Sequence, residues 1–221
     1  MPAHRLAVLP PEKRANILRM RLLTEVGGVW TDASTICLRP LDQWLPNCMT
    51  GGFFFFRDAA PFLMAENWFL AAYPHNRLAE LWRDEHERFW ASRDYLHHSS
   101  YPGHRAPGLP FLQRELLRGL HYVFDRSPRA TEWWFHPLVQ QLLRTYPYCV
   151  MHALFNRGYR RDPEWRMLAD LVPYRDAKPV LKHYKMRSDG TNQGRGLDEL
   201  VAASREQGLP LLKLNWKRLP R

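Results

Sequence analysis

The pair Gly27-Gly28 constrains the fold more than any other feature, because it separates a helical pattern from a short strand. Upstream of it, Pro10-Pro11-Glu12 has the chemistry of a helix start, and apolar residues then recur at helical spacing. Glycine readily adopts the left-handed backbone of a helix C-cap, so the helix should end there. The β-prone run Val29-Trp30-Thr31 follows and ends at Asp32. The sequence therefore predicts a helix, a sharp turn, and a strand with a carboxylate at its end.

The remaining segments extend this pattern into a helix-rich α/β protein. A buried strand is predicted at Phe53–Phe56, and helices are predicted over 65–90, 111–125 and 136–145, with a break in the first near Pro74. Loops are predicted over 35–47 and 97–110, and the basic C-terminal region is expected to be irregular. Because ligands of open α/β sheets gather at the carboxyl ends of the strands, we expect a site near Asp32.

The composition is that of an ordinary globular protein with an excess of positive charge. The 221 residues are 45% hydrophobic, and no apolar run approaches the ~20 residues of a membrane span. The formal net charge of +10 favours anionic partners: nucleic acid, phosphorylated metabolites or an acidic membrane surface. The N-terminus lacks the apolar stretch of a signal peptide. The three cysteines lack metal-ligand spacing, so we expect reduced thiols in a cytoplasmic protein: Cys37, Cys48 and Cys149.

The residues around the double glycine allow two interpretations. Asn16 and Arg19 are three apart and share one face of the predicted helix, while Trp30 and Asp32 lie at the end of the strand. Such a set could hold a phosphorylated sugar and a divalent cation. The alternative is an amphipathic helix with a glycine cap and a solvated aspartate, and the pattern by itself favours that alternative.

This stretch resembles the DxD region of a glycosyltransferase family, family 32-like, that includes the capsular polysaccharide synthesis proteins and the yeast-type α-1,6-mannosyltransferases. Large clostridial glucosylating toxins have a similar spacing. The matching positions are Arg19, Gly27, Gly28, Trp30, Asp32 and the segment Leu38–Asp42. Three later segments resemble the capsular branch: Glu66–Ala72, Tyr148–Phe155 and Pro179–Lys182. The resemblance covers roughly residues 10–190 in order, which is far more specific than a lone DxD.

The resemblance implies a GT-A-like, Rossmann-like domain that transfers a sugar from a nucleotide-sugar donor to a surface polysaccharide or glycan acceptor, with retention of configuration. It assigns catalysis to Asp32 and Arg19, and donor binding to Asn16, Arg19, Gly28, Trp30 and Asp32. The acceptor side would be formed by Glu66, Asn67, Trp68 and His152. The diphosphate would meet Lys182 and His183, followed by Lys185 and Arg187. The protein would work in the cytoplasm, in peripheral contact with the anionic inner face of the membrane.

Three departures from the family pattern change these expectations. Asn16 replaces the usual aspartate and drops a charge. The resemblance implies Mn²⁺ or Mg²⁺ between Asp32 and Ser34, but Ser34 replaces the second acid of the DxD and is a much weaker ligand for a hard cation; no organic cofactor is expected. The strand-helix-strand portion that normally precedes the motif is missing, so we expect a partial domain over 1–190 and a basic tail over 191–221.

Other interpretations remain open. The chain could be a catalytically degenerate sugar-binding or assembly protein on the same scaffold, or, less in keeping with the resemblance, a nucleic-acid-binding protein. His152 could be a buried structural residue or a hydrogen-bond donor in the site. The histidines of the predicted loops, His121 among them, are expected at the surface. The cluster Trp133-Trp134-Phe135 is expected to pack in the core rather than against a sugar ring.

Overall fold

The computed structural model of the chain describes residues 1–91, 111–143, 146–181 and 197–214. The predicted loop over 97–110 lies outside these residues, and so do Lys182, His183, Lys185 and Arg187. The described helices include α1 (Ala3–Val8), α2 (Pro11–Glu25), α3 (Arg77–Ala91), α4 (Phe111–Phe124), α5 (Pro137–Leu143), α6 (Val150–Arg161), α7 (Pro163–Asp170) and α8 (Leu197–Glu206). The strands are β1 (Gly28–Thr31), β2 (Thr35–Cys37), β3 (Phe53–Phe55), β4 (Phe69–Ala72) and β5 (Leu211–Lys213).

The predicted turn between α2 and β1 is confirmed, and its geometry explains the first glycine. Gly27 has a φ of +75°, and a Cβ there would lie 2.6 Å from Pro74 Cδ and 2.9 Å from the carbonyl oxygen of Ala72. Only glycine fits both the backbone conformation and this close approach. Gly28 has a φ of +95° but faces open space. The turn therefore presses the end of α2 against the segment that follows β4.

The main sheet has the order β1-β4-β3, and its strands pair antiparallel. Successive side chains of a strand point to opposite faces; both faces are buried at β3 and β4, whereas the edge strand β1 is mostly exposed. Phe53 and Phe55 pack toward Trp82 of α3, whereas Phe54 and Phe56 pack toward Trp44. The predicted buried strand at the phenylalanine run is thus confirmed, and the run forms part of two separate layers of the core.

The helix predicted over 65–90 is wrong in its first half. Residues 69–72 form β4, which is buried between β1 and β3, and α3 begins only at Arg77. Between the strand and the helix lie Pro74 and His75, whose backbone is left-handed with a φ of +55°, and the chain changes direction there. Asn76 then starts the helix, since its Oδ1 accepts hydrogen bonds from the backbone N–H groups of Leu78 and Ala79 at 3.1 and 3.2 Å. Burial between two strands outweighs the local helical pattern.

The C-terminal region is regular where a basic, irregular tail was predicted, so that prediction is wrong over 197–213. β5 pairs antiparallel with β2, a strand inside the predicted loop over 35–47. The register places Thr35 opposite Lys213 and Cys37 opposite Leu211. Leu200 of α8 and Leu212 are both buried in one small apolar cluster. This pairing brings a lysine from the distant C-terminal region close to the end of β1.

Both sheets are antiparallel, so the end of β1 is not the carboxyl edge of a parallel sheet, which was the reason for expecting a site there. The mixture of helices and small sheets fits the α/β class. None of the described helices has the length and apolar character to cross a membrane. The three cysteines are free thiols, as predicted.

The helices predicted over 111–125 and 136–145 correspond to α4 and α5. His121, expected in a surface loop, instead lies on α4 and is buried, with its Nδ1 2.8 Å from Asp125 Oδ2. In the aromatic cluster, Trp134 and Phe135 are buried as predicted, whereas Trp133 is 54% exposed.

Candidate functional site

Asp32 is held at the end of β1 through both its backbone and its carboxylate. Its backbone N–H donates to the carbonyl oxygen of Trp68 at 2.8 Å, which continues the pairing of β1 with β4. Its Oδ1 accepts hydrogen bonds from Arg19 Nη2 at 3.0 Å and from Trp30 Nε1 at 3.3 Å. The Arg19 guanidinium also lies over the Trp30 ring, 4.8 Å from its centroid. Arg19, Trp30, Asp32, Ser34 and Lys213 together are called the Asp32 cluster below.

Arg19 is buried and holds neighbouring segments together rather than facing solvent. Its side chain is buried, and its Nη1 donates to the carbonyl oxygen of Asn67. Burial lowers the pKa of Arg19 to about 10, and the charge of Asp32 opposes that shift, so the guanidinium stays charged at neutral pH. Arg19 therefore fixes the position of Asp32 from α2, a contact that differs from the donor-binding role expected from the resemblance.

Lys213 is the member of the cluster that the sequence analysis missed. Its Nζ lies 3.5 Å from Asp32 Oδ2 and donates a hydrogen bond to Ser34 Oγ. The side chain is only 15% exposed, and burial lowers its pKa while Asp32 opposes the shift. A single lysine inside the apolar run Leu211–Leu214 was the available signal, but the run was assigned to the tail. Only the β2–β5 register connects it to Ser34.

A second pair of titratable groups, Glu66 and His152, is buried next to the cluster. Glu66 directly precedes Asn67, and its Oε2 lies 4.0 Å from His152 Nε2. Burial raises the pKa of Glu66 to about 7. Burial lowers the pKa of His152 to about 3, helped by the positive charges of Arg19 and Lys13, so the imidazole is neutral. His152 sits in the first turn of α6 and is buried.

Several buried polar atoms around these residues lack a hydrogen-bond partner among the residues that the structure describes. They are Arg19 Nε, Glu66 Oε1, Trp68 Nε1 and His152 Nδ1; of these, the Trp68 indole N–H lies close enough to the Glu66 carboxyl to oppose the rise in its pKa. Such atoms are rare in folded proteins, because an unsatisfied buried polar group is costly. Other such atoms lie elsewhere in the described residues, for example His86 Nδ1 and Asn156 Oδ1, so the candidate functional site is defined by the contacts of the Asp32 cluster itself.

The side chains of the other predicted site residues lie around the Asp32 cluster or away from it. Asn67 Nδ2 lies 3.5 Å from Met151 Sδ. The Trp68 ring is stacked on Phe56 in the core, so its contribution to the site comes from its backbone carbonyl. Asn16 is half-buried, one helical turn before Arg19. Gly28 lies at the opposite end of β1, where it borders an apolar pocket of about 260 Å³ rather than the Asp32 cluster.

The divalent cation implied by the resemblance does not fit the groups present. The oxygens of Asp32 already face Arg19, Trp30 and Lys213, and the Ser34 hydroxyl accepts from the same lysine. Hard cations such as Mg²⁺ and Mn²⁺ prefer several oxygen ligands with negative charge. Within the described ranges, no group of three or more histidine, cysteine, aspartate or glutamate side chains could hold a metal ion. The ammonium group of Lys213 occupies the place between the Asp32 and Ser34 side chains.

Comparison with known proteins supports one family. No curated protein matches the chain, and no solved structure does. A match to a family model covers residues 6–101, a range that contains Arg19, Asp32, Ser34 and Glu66 but neither His152 nor Lys213. Over that range the chain is similar to the family described as capsular polysaccharide synthesis protein.

Proposed function

We propose that the protein is a glycosyltransferase of capsule biosynthesis, which transfers a sugar from a nucleotide-sugar donor to a polysaccharide or glycan acceptor. The observation that carries the proposal is the Asp32 carboxylate, fixed at the end of β1 by Arg19 and Trp30 within the segment that matches the capsular family. Carboxylates in this position suit the hydroxyl groups of a sugar or ribose, and an indole beside them suits an apolar ring face. A GT-A-like arrangement of the whole domain is proposed from the resemblance alone, because both sheets of the described residues are antiparallel.

The charges around the site suit a donor with a diphosphate. Arg19 and Lys213 contribute two positive charges next to the single carboxylate of Asp32. Preorganised positive charge stabilises the negative charge that develops on a departing diphosphate. The bond between the anomeric carbon and the diphosphate oxygen breaks, and its electron pair leaves with the diphosphate. The acceptor hydroxyl oxygen forms the new bond to that carbon on the same face, and its proton passes to the departing diphosphate oxygen.

Glu66 and His152 are proposed to shape the acceptor side. Both side chains are buried, so they would act from below the sugar: the neutral imidazole of His152 can donate or accept a hydrogen bond, and Glu66 directly precedes Asn67 and Trp68. The net charge of +10 would draw the protein to the anionic inner membrane surface, where lipid-linked acceptors are assembled.

The test is a transfer assay with the purified chain. A panel of UDP- and GDP-sugars is incubated with oligosaccharide acceptors, and the release of nucleoside diphosphate is measured. We expect release with at least one donor, and a loss of about 100-fold or more in Asp32→Asn. Glu206→Gln, which alters an exposed acid on α8, is the matched control and should retain full activity. Equal rates in wild type and Asp32→Asn would contradict the proposal.

A second candidate is a sugar-binding or assembly protein without turnover, favoured by Ser34 in place of the second acid and by the occupied oxygens of Asp32. It predicts that acceptor oligosaccharides bind, with heat detectable by calorimetry, while no donor is consumed. Donor consumption above the Asp32→Asn background would exclude it.

A further inference from the structure

We propose that the ammonium group of Lys213 takes the place of a divalent cation between Asp32 and Ser34, and that donor binding is consequently independent of metal. The inference rests on the proposed function as far as the diphosphate is concerned. The replacement of the cation itself rests only on the geometry of the Asp32 cluster.

The first argument is position. Lys213 Nζ bridges the two side chains that a DxD site would offer to a metal, 3.5 Å from Asp32 Oδ2 and hydrogen-bonded to Ser34 Oγ. An ammonium group has three N–H donors and no acceptor. Two of them are used by Asp32 and Ser34, which leaves the third for an oxygen of a ligand. A metal ion that bridges a protein carboxylate and a phosphate has the same topology.

The second argument is charge. Asp32 faces Arg19 through Oδ1 and Lys213 through Oδ2, so the cluster carries one more positive than negative charge; the neighbouring Glu66, whose pKa burial raises to about 7, adds a full negative charge only above that pH. A divalent cation placed here would be repelled by two side chains and attracted by one carboxylate, whereas an anionic diphosphate would be attracted by two and repelled by one. Ser34 adds no negative charge to attract a metal. The electrostatic environment therefore favours the anion and disfavours the cation.

The third argument is how firmly the lysine is held. Lys213 ends β5, and the register of β5 with β2 sets it opposite Thr35, the neighbour of Ser34. The backbone N–H of Leu214 donates to the carbonyl oxygen of Ser34 at 2.7 Å, which fixes the next residue as well. Leu211, Leu212 and Leu214 are buried around it. The ammonium is thus delivered by a paired strand anchored in the core rather than by a free surface side chain.

The test uses the full chain with two probes, Mn²⁺ alone and the nucleoside diphosphates UDP and GDP. Lys213→Met keeps the aliphatic stem and removes the charge, and the double variant Lys213→Met/Ser34→Asp restores two carboxylates without an ammonium between them. Lys178→Met, at an exposed position, is the matched control. Circular dichroism and urea unfolding confirm that each variant is folded.

The proposal expects wild type to bind UDP or GDP equally well in excess EDTA and in millimolar Mn²⁺. Lys213→Met should weaken that binding by about tenfold or more, as expected for the loss of a charged hydrogen bond, while Lys178→Met leaves it unchanged. The double variant should bind Mn²⁺, seen as a loss of the free-ion electron paramagnetic resonance signal, and should regain nucleotide affinity only with Mn²⁺. Wild-type binding that disappears in EDTA and returns with Mn²⁺ overturns the proposal, and so does unchanged affinity in Lys213→Met.

The metal measurements separate this proposal from the proposed function. If wild type binds neither nucleotide in any condition, glycosyl transfer by this chain is contradicted. The Mn²⁺ titration without nucleotide still decides the role of Lys213. If wild type does not bind Mn²⁺ and the double variant does, the result supports the replacement of the cation by Lys213. Mn²⁺ binding by wild type that Asp32→Asn abolishes, or a double variant that still ignores the ion, overturns it.

Discussion

Arg19 Nη2 donates to Asp32 Oδ1 across 3.0 Å, and this bond ties the middle of α2 to the end of β1. The arginine is buried, and the aspartate side chain is 34% exposed, so one partner of the pair belongs to the core and the other to the surface. The same guanidinium reaches the Asn67 carbonyl beyond β1, so it joins three segments at one point. The fold therefore fixes the position of the Asp32 carboxylate before any ligand binds.

Arg19→Met should therefore affect both stability and activity. Removal of the guanidinium leaves the Asn67 carbonyl without its partner and Asp32 held by Trp30 and Lys213 only. We expect a loss of about 2 kcal/mol in the free energy of unfolding, measured by urea denaturation, because the pair is only partly buried. Donor turnover should fall below detection. Arg126→Met, at an exposed position, should change neither quantity.

The two glycines of the turn should respond differently to alanine. Gly27→Ala adds a Cβ that would lie 2.6 Å from Pro74 Cδ in a left-handed backbone, so we expect a loss of at least about 2 kcal/mol in the free energy of unfolding. Gly28→Ala meets no atom within 4 Å and should cost only the backbone term of about 1 kcal/mol. In contrast, Gly119→Ala on α4 should stabilise by about 0.5–1 kcal/mol. Equal costs at positions 27 and 28 would contradict the packing argument.

Glu66 should make the stability of the fold depend on pH. Burial raises its pKa from 4.5 to about 7, so between these values the folded protein holds a proton that the unfolded chain has lost. The contribution of Glu66 to stability is therefore complete below pH 4.5 and is lost as the pH rises through about 7. Glu66→Gln removes this dependence.

The difference in free energy of unfolding between Glu66→Gln and wild type should become more favourable to the variant from pH 5 to pH 8, by an amount on the order of 2–3 kcal/mol. Urea denaturation at the two pH values measures it. The matched variant Glu206→Gln should show the same difference from wild type at both. A difference of opposite sign for Glu66→Gln would mean that the carboxyl is stabilised in its ionised form.

Leu212→Ala tests whether the small sheet of β2 and β5 holds Lys213 in the Asp32 cluster. Leu212 is fully buried with Leu200 and pairs opposite Ile36, so its truncation should cost about 2–4 kcal/mol in the free energy of unfolding. Because it precedes Lys213, we also expect weaker UDP or GDP binding, measured by calorimetry below the unfolding transition. Leu171→Ala, at a position that is half exposed, should leave binding unchanged. Full nucleotide affinity in Leu212→Ala would show that β5 does not position the lysine.

The local chemistry of single elements was predictable from the sequence. Proline in the first turn of α2, the glycines that end it, and the run of phenylalanines in β3 each act over a few residues, and the structure has them where they were predicted. The position of Arg19 and Asp32 near one another also followed, because a single turn links the helix and the strand that carry them.

The sequence by itself determined the helix, turn and strand that present Asp32, since propensity, capping and glycine conformations are local properties. Only the tertiary structure decided that residues 69–72 form a strand, because burial between β1 and β3 outweighs their helical pattern. It likewise decided the partners of Ser34. The pairing of β2 with β5 joins residues 35 and 213, and no local signal specifies a contact across that separation. The lysine that completes the Asp32 cluster is therefore a product of the fold.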